Sequence, residues 1–273
     1  MIARKSISNE YAAWNRTHKA PAGPAWWDRV THSRLRSLFW PRRMRLPGPL
    51  VRSLGAFAFQ ANSDTRTVEY PWCWFAGALK PGMTVVDVGA GAAGLQFVMS
   101  AAGINVLSVD PLLNPSEKVR WEFSEADFDR LNRVMGSKVV FIRKLLQDAK
   151  LEADSIDRVF AVSVIEHIPL EGARELMAEV RRILKPGGLF IGTVDLFLDL
   201  APFTSSTSNK YGTNVPVSML VESSGLELVS GDRRELYGFP EFDPQSITKR
   251  RDEFFVANNV CAQCIVLRKP ERA

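Results

Sequence analysis

The chain has 273 residues, 46% of them hydrophobic and 24% charged, proportions that suit a globular protein able to bury a full core. No apolar run approaches the roughly 18 residues a membrane span needs, and the three cysteines, Cys73, Cys261 and Cys264, are too few and odd in number for a disulfide framework. The first residues, MIARKSISNEYAAWNRTHK, lack the apolar core and cleavage site of a secretory signal, so a cytoplasmic address is expected.

Lysine and arginine outnumber aspartate and glutamate by 35 to 30, a formal net charge of +5, and the excess is uneven. Between Arg29 and Arg52 stand seven arginines and no carboxylate, interleaved with Phe39, Trp40 and prolines. Two readings stay open for this stretch. It is a surface for an acidic partner (an anionic glycan, a phosphorylated substrate, a nucleic acid or an anionic membrane face), or a solvated arm whose aromatics pack on the main domain. Residues 1–66 as a whole carry Trp14, Trp26, Trp27 and Trp40, four of the seven tryptophans. That much aromatic surface argues against disorder. Short helices joined by turns are expected, forming an arm or lid ahead of a second unit at 67–273.

Glu69 to Leu79 predicts a short helix entered at Pro71, where a missing N–H costs little. Lys80-Pro81-Gly82 then turns into TVVDVGAGAAGLQFVMSAAGINVLSVDP, residues 84–111, the centre of the chain. Its β-branched start reads as a strand buried on both faces. Gly89, Gly91 and Gly94 follow at G-x-G-x-x-G spacing, then a helix to Ala102 and a second strand ending at Asp110. That spacing alone is weak evidence for a ligand. Asp87, two residues before the first glycine, and Asp110, at a strand tip where a carboxylate can take both hydroxyls of a ribose, strengthen it.

Further on, Ser116 to Met135 predicts a polar helix, Lys138 to Arg143 a third strand, and Asp157 to Val162 a fourth. The fourth delivers Ser163-Val164-Ile165-Glu166-His167-Ile168-Pro169 to its C-terminal end. Leu170 to Leu184 has helical spacing, and Leu189 to Val194 makes a fifth strand with Asp195 at its tip. A long loop to Thr213 precedes a helix at 215–224 and two last strands, Leu226 to Ser230 and Val260 to Leu267. Between these two lies an insertion with a basic Lys249-Arg250-Arg251, read as a lid or interface element. Cys261 and Cys264 fall on opposite faces of the last strand and are expected to be ordinary strand cysteines. Alternation at this rhythm implies an α/β, Rossmann-like, doubly wound parallel sheet whose ligands gather at the strands' carboxyl ends. Asp87, Asp110, Asp148, Ser163 to His167 and Asp195 all fall there.

The combination DVGAGAAG at 87–94, Asp110, SVIEHIP at 163–169 and LKPGGLF at 184–190 resembles class I methyltransferases that use S-adenosylmethionine, over roughly residues 67 to 270. The resemblance implies seven strands with the last antiparallel, and an enzyme that releases S-adenosylhomocysteine. It implies that Gly89, Ala90 and Gly91 approach the methionine part of the donor and that Asp87 orders the turn or reaches the amino group. Asp110, with Pro111 beside it, would hold the ribose, Asp148 and Ala149 the adenine, while Ser163 would lie near the sulfonium. The chemistry then needs in-line positioning and, for a hydroxyl acceptor, a base. His167 is the first candidate because imidazole ordinarily titrates near neutral pH, and Asp195 is the second. Relatives with Glu-x-x-Glu-His at the fourth strand bind a divalent metal. Ser163 stands in place of the first Glu here, so no metal is assigned.

The expected activity is O-methylation of a small polar molecule, sugar or glycan, with an anionic acceptor suggested by the basic patches. Its rivals are N-methylation, RNA methylation through the arginine-rich arm, a dinucleotide-dependent oxidoreductase and a cofactor-binding module without catalysis. Nucleic acid is not the favoured partner.

Overall fold

Strand β1, Thr84–Val88, begins with the β-branched run, and its Val85 and Val86 are fully buried from opposite faces. A computed structural model of the protein describes residues 1–35, 39–111 and 124–271. In it β1 lies in the interior of a seven-stranded sheet of order β3-β2-β1-β4-β5-β7-β6, next to the central strand β4. The other strands are β2 Asn105–Val109, β3 Val140–Ile142, β4 Ile156–Val162, β5 Leu184–Phe197, β6 Glu227–Ser230 and β7 Val260–Arg268. Strands β1 to β5 are mutually parallel, and β7 runs antiparallel between β5 and β6. The predicted sheet and its reversed last strand are therefore observed.

In chain order the helices are α1 Asn9–His18, α2 Ala25–Thr31, α3 Gly48–Leu54, α4 Arg66–Ala76, α5 Leu95–Ala101, α6 Glu125–Met135, α7 Leu170–Ile183, α8 Val217–Ser224 and α9 Pro244–Lys249. Two apolar layers cover the sheet. One joins α7 and α8 to Val86, Val159 and Phe190. The other joins α4, α5 and α6 to Val85 and Phe160, and it also takes in Trp14, Trp27 and Phe57 from the first 66 residues. The opening residues are tied to the far side of the chain. Ile2 bridges to Gln263 on β7, and the buried Glu235 carboxylate accepts from the Ile2 amide (3.0 Å), Arg4 (2.8 Å) and Arg250 (3.0 Å). No helix among the described residues is long and apolar enough to cross a membrane.

Several elements depart from expectation for physical reasons. The helix predicted to start at Pro71 starts at Arg66, with Pro71 inside it. A proline there leaves the carbonyl four residues earlier without its helical donor, and Asn15 Nδ2 supplies one to Thr67 at 2.8 Å. Strand β5 runs on to Phe197 because β7 pairs with it that far, so Asp195 sits opposite Ala262 inside the sheet and not at a strand tip. Of the helix expected from Ser116, residues 125–135 are observed, while the rest, with Trp121 and Phe123, lies outside the described residues. Cys261 and Cys264 are buried, free strand cysteines, as the spacing predicts. Part of the arginine run is structural. Arg43 is buried with its guanidinium 4.2 Å from the Trp40 ring and donates to Phe59 O at 2.7 Å, and Arg52 donates to Val134 O at 3.1 Å.

Candidate active site

The turn after β1 is closed by its own chemistry. Gly89 and Gly91 take φ of +65° and +52°, in the left-handed region that favours glycine. The space a side chain would need is already filled, at Gly89 by Val164 and at Gly91 by the Gln60 amide. The Gly91 amide donates to Asp110 Oδ2 (2.7 Å), Ala92 to Gln60 Oε1 (2.7 Å), and Gly94 to Gln96 Oε1 (3.0 Å). A pyrophosphate cradle needs those N–H groups turned towards phosphate, and here side chains of the protein have taken them. The carboxylates also argue against a phosphate. Asp87 is 2% exposed, and burial, then the charge of Asp110, pushes its carboxyl up to about 8. A donor carrying an ammonium and a ribose fits that pair, because a cation would offset the cost of ionising Asp87. Ala90 is buried in the turn, Pro111 is half-buried beside Asp110, and Asp148 and Ala149 follow β3 on the 3-10 turn Leu146–Asp148 and the residue after it. The structure thus brings the predicted donor residues to the ends of three adjacent strands, β1, β2 and β3.

Beside them, at the end of β4 and on the neighbouring stretch of β5, is a buried polar network that the sequence does not announce. Ser163 holds φ of +46°, a strained value for a non-glycine residue. Its Oγ lies 2.7 Å from Glu69 Oε1, 3.0 Å from Asp195 Oδ1 and 2.6 Å from Arg66 Nη1. Glu69, on α4, is fully buried, ion-paired to Arg66, and also accepts from Thr193 Oγ1 at 2.6 Å. Burial alone would raise the Glu69 carboxyl, but Arg66 and the hydrogen bonds from Thr193 and Ser163 outweigh it and hold it below the ordinary range. Burial, then Glu166 and Glu69, push Asp195 well above that range.

A proton count agrees. A serine hydroxyl has one hydrogen to give and two lone pairs. Given to the charged Glu69, that hydrogen leaves the contact with Asp195 to be made by a proton on Asp195. Arg66 fills the remaining lone pair. This arrangement favours the protonated form of Asp195, in the same direction as the upward push of its burial.

The short turn Ile165–His167 carries the other two groups. Glu166 is 1% exposed, and burial pushes its carboxyl up to about 7. His167 is exposed, and its Nδ1 donates to the Tyr211 carbonyl, which leaves Nε2 as the ring's acceptor. The loop that supplies Tyr211 lies close over the turn: Thr213 N donates to Glu166 O at 3.2 Å, and a side chain on Gly212 would collide with that carbonyl. In a chain of net charge +5 the ends of β1, β2 and β4 are acidic among the described residues, with the half-buried Arg66 set among Glu69, Asp87, Asp110, Glu166 and Asp195.

Comparison with known proteins agrees with this architecture. A family model described as a methyltransferase domain matches residues 86–192. An uncharacterized methyltransferase of Mycobacterium marinum is 30% identical over 263 residues, 85% of this chain and 94% of that protein. Among solved structures, the [4+2]-cyclase SpnF superposes with a TM-score of 0.55 over 86% of this chain and 96% of its own, at 14% identity. Phosphoethanolamine N-methyltransferase 2 of Haemonchus contortus, bound to phosphomonomethylethanolamine and S-adenosylhomocysteine, gives a TM-score of 0.51, 15% identity, and 91% and 61% coverage. At such identities the two structures speak for the fold alone. The chain belongs to the methyltransferase family, as a class I enzyme. Its methyl donor is S-adenosylmethionine.

Proposed function

We propose that the enzyme methylates a hydroxyl of a small polar acceptor, with His167 as the base. The observation that carries this reading is the His167 tautomer: Nδ1–H is anchored on Tyr211 O, which leaves the lone pair on Nε2. S-adenosylmethionine supplies a methyl group already activated by its sulfonium. The protein's own work is then positioning and proton removal. Asp87 would take the donor's ammonium, Asp110 the ribose hydroxyls, and Asp148 with Ala149 the adenine edge, while Gly89 to Gly91 form the floor. As the acceptor oxygen bonds to the methyl carbon and the carbon–sulfur bond breaks, His167 Nε2 takes the hydroxyl proton. The buried Ser163–Glu69–Arg66 network keeps the end of β4 rigid beneath that step.

Methyl transfer from labelled donor to a panel of diols, sugars and phenols tests the reading. His167→Gln keeps a hydrogen-bonding side chain but no base, and is expected to lower kcat by about 10²–10⁴ while the affinity for S-adenosylhomocysteine stays within about twofold. Wild-type turnover by the variant with an unchanged pH profile would refute the assignment.

A further inference from the structure

Glu166 is the buried acid with no role so far. Neither of its carboxylate oxygens has a hydrogen-bond partner among the described residues. Its own amide and that of Asp195 lie near enough to favour the charged form, yet neither makes a well-formed bond. The titratable groups that face it are Arg66 and Glu69 from α4 and Asp195 from β5. On its own turn, His167 is directed at Tyr211. Arg66 is already committed to Glu69 and Ser163. Buried polar groups are almost always paired, so a carboxylate kept in this state calls for a partner that arrives from outside.

Its place narrows the partner. Val164, two residues before Glu166, packs against Gly89, and a Cβ there would lie 2.8 Å from the valine methyls. On the other side lies the loop that carries Tyr211 and Gly212. The backbone of Glu166 therefore lies between the donor turn and the loop that carries Tyr211 and Gly212. The methyl donor that this turn serves carries a positive sulfonium, and a guanidinium already committed to Glu69 leaves the counter-charge of Glu166 unfilled.

We propose that Glu166 is the anionic partner of an onium cation: the sulfonium of the methyl donor or an ammonium nitrogen on the acceptor. The proposal rests on the methyltransferase reading above. As the cation enters, Glu166 gives up its proton to solvent, and once the charge is gone the proton returns. S-adenosylhomocysteine carries no sulfonium charge, so in the donor case the site distinguishes substrate from spent product.

Calorimetry on the whole chain at pH 6 and pH 8, with wild type and Glu166→Gln, separates the two sources. If the sulfonium is the partner, the wild-type ratio of S-adenosylmethionine to S-adenosylhomocysteine affinity rises about tenfold between those pH values, one decade per unit of pKa displaced, and stays flat in the variant. If the acceptor nitrogen is the partner, that ratio is flat. The protein saturated with S-adenosylhomocysteine then binds ethanolamine and 4-amino-1-butanol about tenfold tighter than ethylene glycol and 1,4-butanediol at pH 8, and Glu166→Gln loses the preference. Glu166→Asp, which restores the charge, recovers part of either effect and stands in if the glutamine variant is unstable. A pH-independent ratio together with no amine preference overturns the proposal, as does a preference that survives in Glu166→Gln or a Glu166-dependent response to magnesium alone. Failure of the wild type to bind S-adenosylhomocysteine would count against the donor assignments instead.

Discussion

Asp87 and Glu166 share a property with a measurable cost: both are buried acids whose carboxyls stand above their ordinary range, near 8 and near 7. For an acid the folded chain raises in this way, stability is full below the unfolded value near 4 and falls as pH climbs towards the folded value. The ligand-free enzyme is thus expected to lose stability steadily between pH 4 and 8. At about 1.4 kcal/mol per unit, Glu166 alone would contribute roughly 3 kcal/mol of that loss. Thermal unfolding of Asp87→Asn and Glu166→Gln should show a shallower decline and, at pH 8, a higher Tm than wild type, even though Asp87→Asn weakens donor binding. A wild-type Tm flat across this range would contradict the burial of both groups. Sequence reasoning chose His167 from the Glu-His pair because imidazole is the more familiar base. The burial of Glu166 is not legible locally, because it rests on tertiary contacts, and the loop around Gly212 closes over its backbone carbonyl.

At the scale of elements, α4 shows why half of the site was hidden. Arg66 and Glu69 are spaced as an i,i+3 pair, which on most helices is a weak solvent-facing couple. Here the end of β4 and the neighbouring stretch of β5 bury it, through Ser163 and Thr193, and no local pattern encodes that meeting. The helix start was obscured by Pro71, because the donor that compensates it comes from Asn15 on α1. Asn15→Ala is expected to cost about 1–3 kcal/mol, with hydrogen exchange speeding up first at the start of α4. An Asn15→Ala chain as stable as wild type would mean that water replaces the amide at no cost. What was legible is equally instructive. The strands β1, β2 and β4, the glycine turn and the acids at 87 and 110 each declare themselves within about ten residues, through β-branched runs and fixed offsets. Strand β5 was read short because its end is set by β7, not by its own composition.

For the whole molecule, the first 66 residues and the sheet share one apolar layer, and Glu235 fastens the opening segment to the far end of the chain. Removing that acceptor with Glu235→Ala leaves the Ile2 amide without its buried partner, at an expected cost of about 1–3 kcal/mol. Exchange should rise selectively over residues 1–5, and uniform protection there would refute the clamp. The order of the strands has a further consequence, for the chain as it is being made. Strand β7 occupies the slot between β5 and β6 yet is synthesised after both. Until residues 260–268 leave the ribosome, β5 shows a long apolar edge with open hydrogen-bonding groups, and β6 has nothing to pair with. The nascent enzyme therefore passes through an interval in which its most adhesive edge is bare, and a chaperone that shields strand edges would act in that interval.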